Sequence, residues 1–135
     1  MRTKAFSPLT ILLPLLSFNL GCFGDSILRA RGIVVNPQGD PVVGATVQLQ
    51  NDGRVDEVQT DNEGCFSIAR TSAPGWYRFK LVASAPDHDP ATKKLRNLTD
   101  HRVVVELAPI DDEGRSSIEI VDPTVDDRVL HCGRR

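Results

Sequence analysis

"GIVVNPQGDPVVGATVQLQ", Gly32 to Gln50, sets Pro37, Gly39, Pro41 and Gly44 between two apolar runs. That punctuation belongs to tight turns rather than to a helix. Gly39 and Gly44 permit backbone angles that a Cβ closes, and Pro41 fixes the chain between them. Beyond the turns, Val47 and Leu49 alternate with Thr46, Gln48 and Gln50, the pattern of a strand with one dry and one wet face. The stretch therefore reads as strand, turn, strand, and almost none of its side chains is reactive.

The same period of two continues downstream with no helical repeat. Arg54–Thr60 is a polar strand suited to a sheet edge, and Asp61–Gly64 is a turn in which Asp61 can bond its own backbone and Gly64 closes the bend. Cys65–Arg70 follows with Phe66 and Ile68 inward. Tyr77, Phe79, Leu81 and Ala83 then alternate against Trp76, Arg78, Lys80 and Ser84. Residues 91–98 read as an edge strand, and 102–107 as a strand with Val103, Val105 and Leu107 inward. Together with the strand ending at Val35, this predicts an all-β chain, a seven-stranded antiparallel β-sandwich over residues 27–109. Residues 110–135 are acidic and poor in aromatics, and read as an extended tail in which "SSIEIV" is available as an extra strand.

The first residues have a different character. Arg2 and Lys4 precede an apolar run from Phe6 to Leu20, and small Gly21 stands before Cys22. Positive start, apolar middle and small residue are the parts of an export signal, here 1–21, with 22–26 as a short linker. The run is too short to span a bilayer and is broken by Pro8 and Pro14. Leu20-Gly21-Cys22 resembles a bacterial lipobox, which implies a lipid anchor on Cys22 and a membrane as partner. Asn19 departs from the leucine usual at that place, and the alternative is cleavage nearby, after Gly24, with Cys22 discarded. Phe23 follows the cysteine where an aspartate would signal inner-membrane retention, so the expected address is the envelope, at the outer membrane where the cell has one.

Losing Arg2 and Lys4 takes the formal charge from −2 to −4. This balance argues against a basic patch built to release counterions from nucleic acid, and no nucleic-acid partner is expected. At 135 residues the chain holds one domain.

Three ordered blocks resemble the carboxypeptidase regulatory-like domain, a transthyretin-like Greek-key sandwich. Gly32, Gly39, Pro41, Val42, Gly44, Ala45 and Val47 fit the first block. Thr60, Asp61, Gly64, Phe66 and Ile68 fit the second, and Pro74, Gly75 and Tyr77 the third. The resemblance implies a scaffold: in the carboxypeptidases this module accompanies a separate zinc catalytic domain. The intradiol dioxygenases share similar motifs, but they hold iron with two tyrosines and two histidines, whereas Tyr77 is the single tyrosine here. Transthyretin-like hydrolases end in a tyrosine-containing signature that this sequence lacks. An intramolecular Lys–Asn crosslink needs a lysine in an early core strand, and the first lysine after Lys4 is Lys80, outward by parity.

His88, His101 and His131 stand far apart, without the spacing of zinc ligands. Asp87–Asp89, Asp111-Asp112 and Asp126-Asp127 lack the spacing of a calcium loop and read as solvated charge. No catalytic residue, metal or cofactor is therefore expected. Asn97–Thr99 fits a glycosylation sequon. Trp76, outward by parity, can stack on a sugar ring or a partner protein, or be covered by a neighbouring strand or the tail. The expected role is a non-catalytic contact with an envelope protein or glycan; the alternative is a small enzyme of the same fold.

Two cysteines remain in the exported domain, Cys65 and Cys132, and an oxidising compartment favours their pairing. Cys65 shares the outer face with Ser67, where a returning tail can meet it. A free buried Cys65, or an intermolecular bond through Cys132, are the alternatives.

Overall fold

The computed structural model describes residues 26–51, 53–72, 78–96, 100–111, 113–122 and 126–133. Cys22, Trp76, Tyr77 and Asn97–Thr99 fall outside them. Eight strands run in order: β1 (Ser26–Val35), β2 (Thr46–Asn51), β3 (Arg54–Gln59), β4 (Cys65–Ser72), β5 (Phe79–Ser84), β6 (Ala91–Leu95), β7 (Asp100–Glu106) and β8 (Ser117–Ile120). One helical turn, α1 (Asp127–Leu130), and a 3-10 turn (His131–Gly133) close the described chain. The strands form two four-stranded sheets, β4-β1-β7-β8 and β3-β2-β5-β6. The all-β sandwich is as the alternation predicts. The eighth strand is the "SIEI" of the tail, paired antiparallel to β7 with Ile118 opposite Val105.

Successive strands reverse direction, so all odd-numbered strands rise from one pole of the sandwich. β1 and β7 are both odd and lie side by side, and they pair parallel, with Gly32 opposite Val103 and Val34 opposite Val105. This pair departs from the antiparallel expectation. The remaining ladders are antiparallel. The pole where β1 begins is called the base below, and the opposite pole the crown.

Inward residues of both sheets make one core. Leu28, Ala30 and Val34 of β1, Phe66 and Ile68 of β4, and Val103 and Val105 of β7 meet Val47 and Leu49 of β2 and Phe79, Leu81 and Ala83 of β5. Gly32 lies on the same face between Ala30 and Val34, where a Cβ would stand 1.9 Å from the Val103 carbonyl oxygen. Only glycine lets β1 and β7 approach this closely.

A second, smaller cluster sits on the outer face of the first sheet. Ile33 and Val35 of β1 and Val104 of β7 are covered by Val129 of α1, with Val121 and Cys132 packed against them. The described part of the tail adds β8 and, in α1, packs across the outer face of the sheet.

Candidate functional site

The motif residues of the Gly32–Gln50 stretch gather at the crown. Asn36 Oδ1 accepts from the Gln38 and Asp40 amides, Gly39 and Gly44 take positive φ, and Pro41 bridges to Val35. Buried Thr60 accepts from the Ala45 amide through Oγ1 and donates to the Val42 carbonyl, tying the start of β2 to the end of β3. Asp61 Oδ1 accepts from the Glu63 and Cys65 amides. Gly64 has φ 77°, and a Cβ there would lie 2.8 Å from the Val34 carbonyl oxygen. The polar groups of these turns are engaged with backbone, so Gly39, Pro41, Gly44, Asp61 and Gly64 do the work of a scaffold.

Cys65 and Cys132 are joined by a disulfide, with Cα atoms 5.4 Å apart and 67 residues between them in sequence. The bond forms where Cys65 starts β4 on the outer face and α1 delivers Cys132 above it. Asp126 caps α1, accepting from the Arg128 amide, and its carboxylate is gripped by the Arg128 guanidinium at 2.6 and 2.9 Å. That side-chain bond from Arg128 holds the Asp126 carboxyl below its ordinary range, against the opposing effect of desolvation. The same contact raises the Arg128 guanidinium.

Beside the disulfide lies an open groove of about 460 Å³ lined by Arg29, Arg31, Gln59, Asp61, Ser67 and Cys132. Arg31 reaches across to a carboxylate oxygen of Asp100. His131 Nε2 stands 3.6 Å from Cys132 Sγ and 4.0 Å from Glu63 Oε2. Cys65, His131 and Cys132 are the one group of three metal-donor side chains among the described residues, and the disulfide withdraws both sulfurs from coordination. His88 is instead bonded through Nδ1 to the Pro86 carbonyl at 2.7 Å.

A second groove, of about 320 Å³, opens at the base. Gln50, Asn51, Arg54, Val55, Arg78, Lys80 and Lys94 line it, with Phe79 beneath. Lys80 is exposed, as its parity predicts, and faces Lys94 directly across the β5–β6 ladder.

Arg70 is a residue that the sequence reading missed. It lies in phase with inward Phe66 and Ile68 and is buried. Its Nε donates to Asp56 at 2.6 Å, another nitrogen donates to the Leu49 carbonyl, and the guanidinium sits 5.7 Å over the Phe79 ring. A cation at the next inward position after Phe66 and Ile68 was the available signal.

The sequence pattern of the carboxypeptidase regulatory-like domain matches residues 29–108, more than half of the chain. The chain belongs to that family. The match runs from β1 to just past β7, so in this carboxypeptidase regulatory-like domain β8, α1 and Cys132 lie beyond the family pattern. Among solved structures, the Klebsiella pneumoniae 5-hydroxyisourate hydrolase superposes with a TM-score of 0.53 at 18% identity, over 70% of this chain and 99% of that one. The Acinetobacter radioresistens catechol 1,2 dioxygenase gives 0.50 at 12% identity, over 69% of this chain and 58% of that one. At those identities the likeness shows the transthyretin-like fold alone. No curated protein matches the sequence.

Proposed function

We propose that this domain is exported, is held at a bilayer by acylated Cys22, and works at the cell envelope as a non-catalytic binding module for an envelope protein or glycan. The Cys65–Cys132 bond carries the reading, because such bonds persist in oxidising compartments outside the cytosol. The N-terminal order of charge, apolar run, Gly21 and Cys22 supports the same address. Engagement of Thr60, Asp61 and Asn36 with backbone supports a scaffold rather than a reacting centre. The single tyrosine of the sequence weighs against an iron dioxygenase of this fold.

Cell fractionation tests the proposal. The wild-type protein is expected in the membrane fraction carrying acyl label, and Cys22→Ser without it. Wild-type protein found in the cytoplasm with free thiols would contradict it. Crosslinking in intact cells should then join the domain to one envelope component rather than to a small-molecule product.

A further inference from the structure

The two poles of the sandwich carry opposite charge. Exposed Arg54, Arg78, Lys80, Lys94 and Arg96 cluster at the base, where β3 and β5 begin and β6 ends. Of the described acids there, Asp56 is held by Arg70 and also lies 3.8 Å from Arg54, and Asp100 is held by Arg31. Exposed Asp122 follows β8 at the same pole, so five cations stand against three acids. Asp52, between β2 and β3, is outside the described residues. The crown loops instead expose Asp40, Glu63, Asp87, Asp111 and Glu113, with Arg115 as the opposing cation. In a chain that is net acidic and becomes more so once Arg2 and Lys4 are lost, this segregation concentrates the cations where the first strand starts.

Two further observations concern the base. Lys80 and Lys94 are direct cross-strand partners on the outer face of the second sheet. Like charges so placed repel and weaken a ladder unless an external anion neutralises them. Next, β1 begins at Ser26, at the base, four residues after Cys22. Four residues of extended chain reach at most about 14 Å. An anchor at Cys22 therefore holds the cationic pole, and not the acidic one, against the lipid headgroups.

We propose that the base of the sandwich docks on an anionic lipid bilayer, with the Arg54, Lys80 and Lys94 groove taking headgroup phosphates. The inference rests on the membrane reading above and adds to it a contact made by the folded domain itself. The acyl chains on Cys22 supply the attachment, and a cationic patch adds an electrostatic contact that sets the orientation of the domain. The acidic crown is then turned away from the membrane, and the disulfide groove stays accessible beside it.

The test uses the full chain carrying Cys22→Ser, the internal disulfide left oxidised, and a dye on Val55→Cys at the base or Asp111→Cys at the crown. Chain associated with phosphatidylglycerol vesicles is compared with chain on phosphatidylcholine vesicles, both bearing a headgroup-attached quencher. The apolar stretch 6–20 is common to both samples, so quenching reports where the domain lies rather than whether the chain is bound. Quenching is expected at position 55 on the anionic vesicles alone, and at position 111 on neither. Each cation near a charged bilayer contributes about fivefold, so Arg54→Glu, Lys80→Glu and Lys94→Glu together should weaken docking at least about a hundredfold. Salt of about 0.5 M should release wild-type docking as well, independently of any variant. Equal quenching on both lipids, or equal quenching at both positions, would overturn the proposal. So would tight binding to a soluble acidic polysaccharide without lipid-dependent quenching, which would assign the base to a glycan. Because no acyl chain is present, failure here is distinct from failure of the anchor, which the mass of the N-terminal peptide reports.

Discussion

The inter-sheet core and the cluster on the outer face of the first sheet share a strand, yet they are held in different ways. Within β1, Val34 enters the core while Ile33 and Val35 face outward; within β7, Val103 and Val105 enter the core while Val104 faces outward. The core draws on every strand but the edge strand β3, whose Val58 packs against it, and needs no covalent closure. The outer cluster is only a few residues wide, draws its cover from the tail, and is closed by the Cys65–Cys132 bond. The two central strands of this sheet are apolar on both faces around Ile33, Val35 and Val104, and polar on the outer face nearer the base, where Arg29 and Arg31 stand. The apolar stretch needs a cover on each side, and the tail beyond the family pattern supplies the second one.

Four substitutions or treatments sharpen that contrast. Gly32→Ala strikes the core, since its Cβ would fall 1.9 Å from the Val103 carbonyl and push β1 from β7. A loss above about 4 kcal/mol is expected, read by denaturant unfolding; a near-neutral result would mean that the parallel pair is looser than described. Next comes loss of the disulfide. Its 67-residue closure is worth up to about 4 kcal/mol in unfolded-state entropy. Cys65→Ala with Cys132→Ala should lower the melting temperature and expose the tail to protease while the far-ultraviolet β signal persists. Collapse of that signal would show that the core depends on the tail.

Val129→Ala opens the outer cluster alone and is expected to cost about 2 kcal/mol, with the core amides still protected in hydrogen exchange. The smallest effect is at the cap. Asp126 is held below its ordinary pKa by Arg128, so its contribution is complete above the unfolded carboxyl value, about 3.9, and is lost as pH falls through the lower folded value. Asp126→Ala should cost about 1 kcal/mol near neutral pH and nothing further in acid, whereas the wild type loosens at α1 only on acidification. Tail-specific hydrogen exchange measures both.

The sandwich was legible because buried and exposed residues alternate in step with the pleat, as Val47 and Leu49 do against Gln48 and Gln50. The parallel β1–β7 pair was not, because alternation says nothing about which strands become neighbours. The outer cluster left a trace in the unbroken runs "GIVV" and "VVV", but its cover, Val129, sits in an acidic stretch with no strand pattern. Arg70 was hidden by the expectation that cations face water. The disulfide was legible from the expectation of export together with parity. The basic pole was not, since Arg54, Lys80 and Lys94 come from separate strands and the overall charge is acidic.

The account stands most directly on the covalent state of the protein in its own compartment. Mass spectrometry of protein extracted from native membranes, digested without reduction, reads both ends of the claim at once. An N-terminal peptide beginning at acylated Cys22, together with the Cys65 and Cys132 peptides linked within one chain, is the predicted result. An unmodified N-terminus at Asp25 with both thiols free would contradict it.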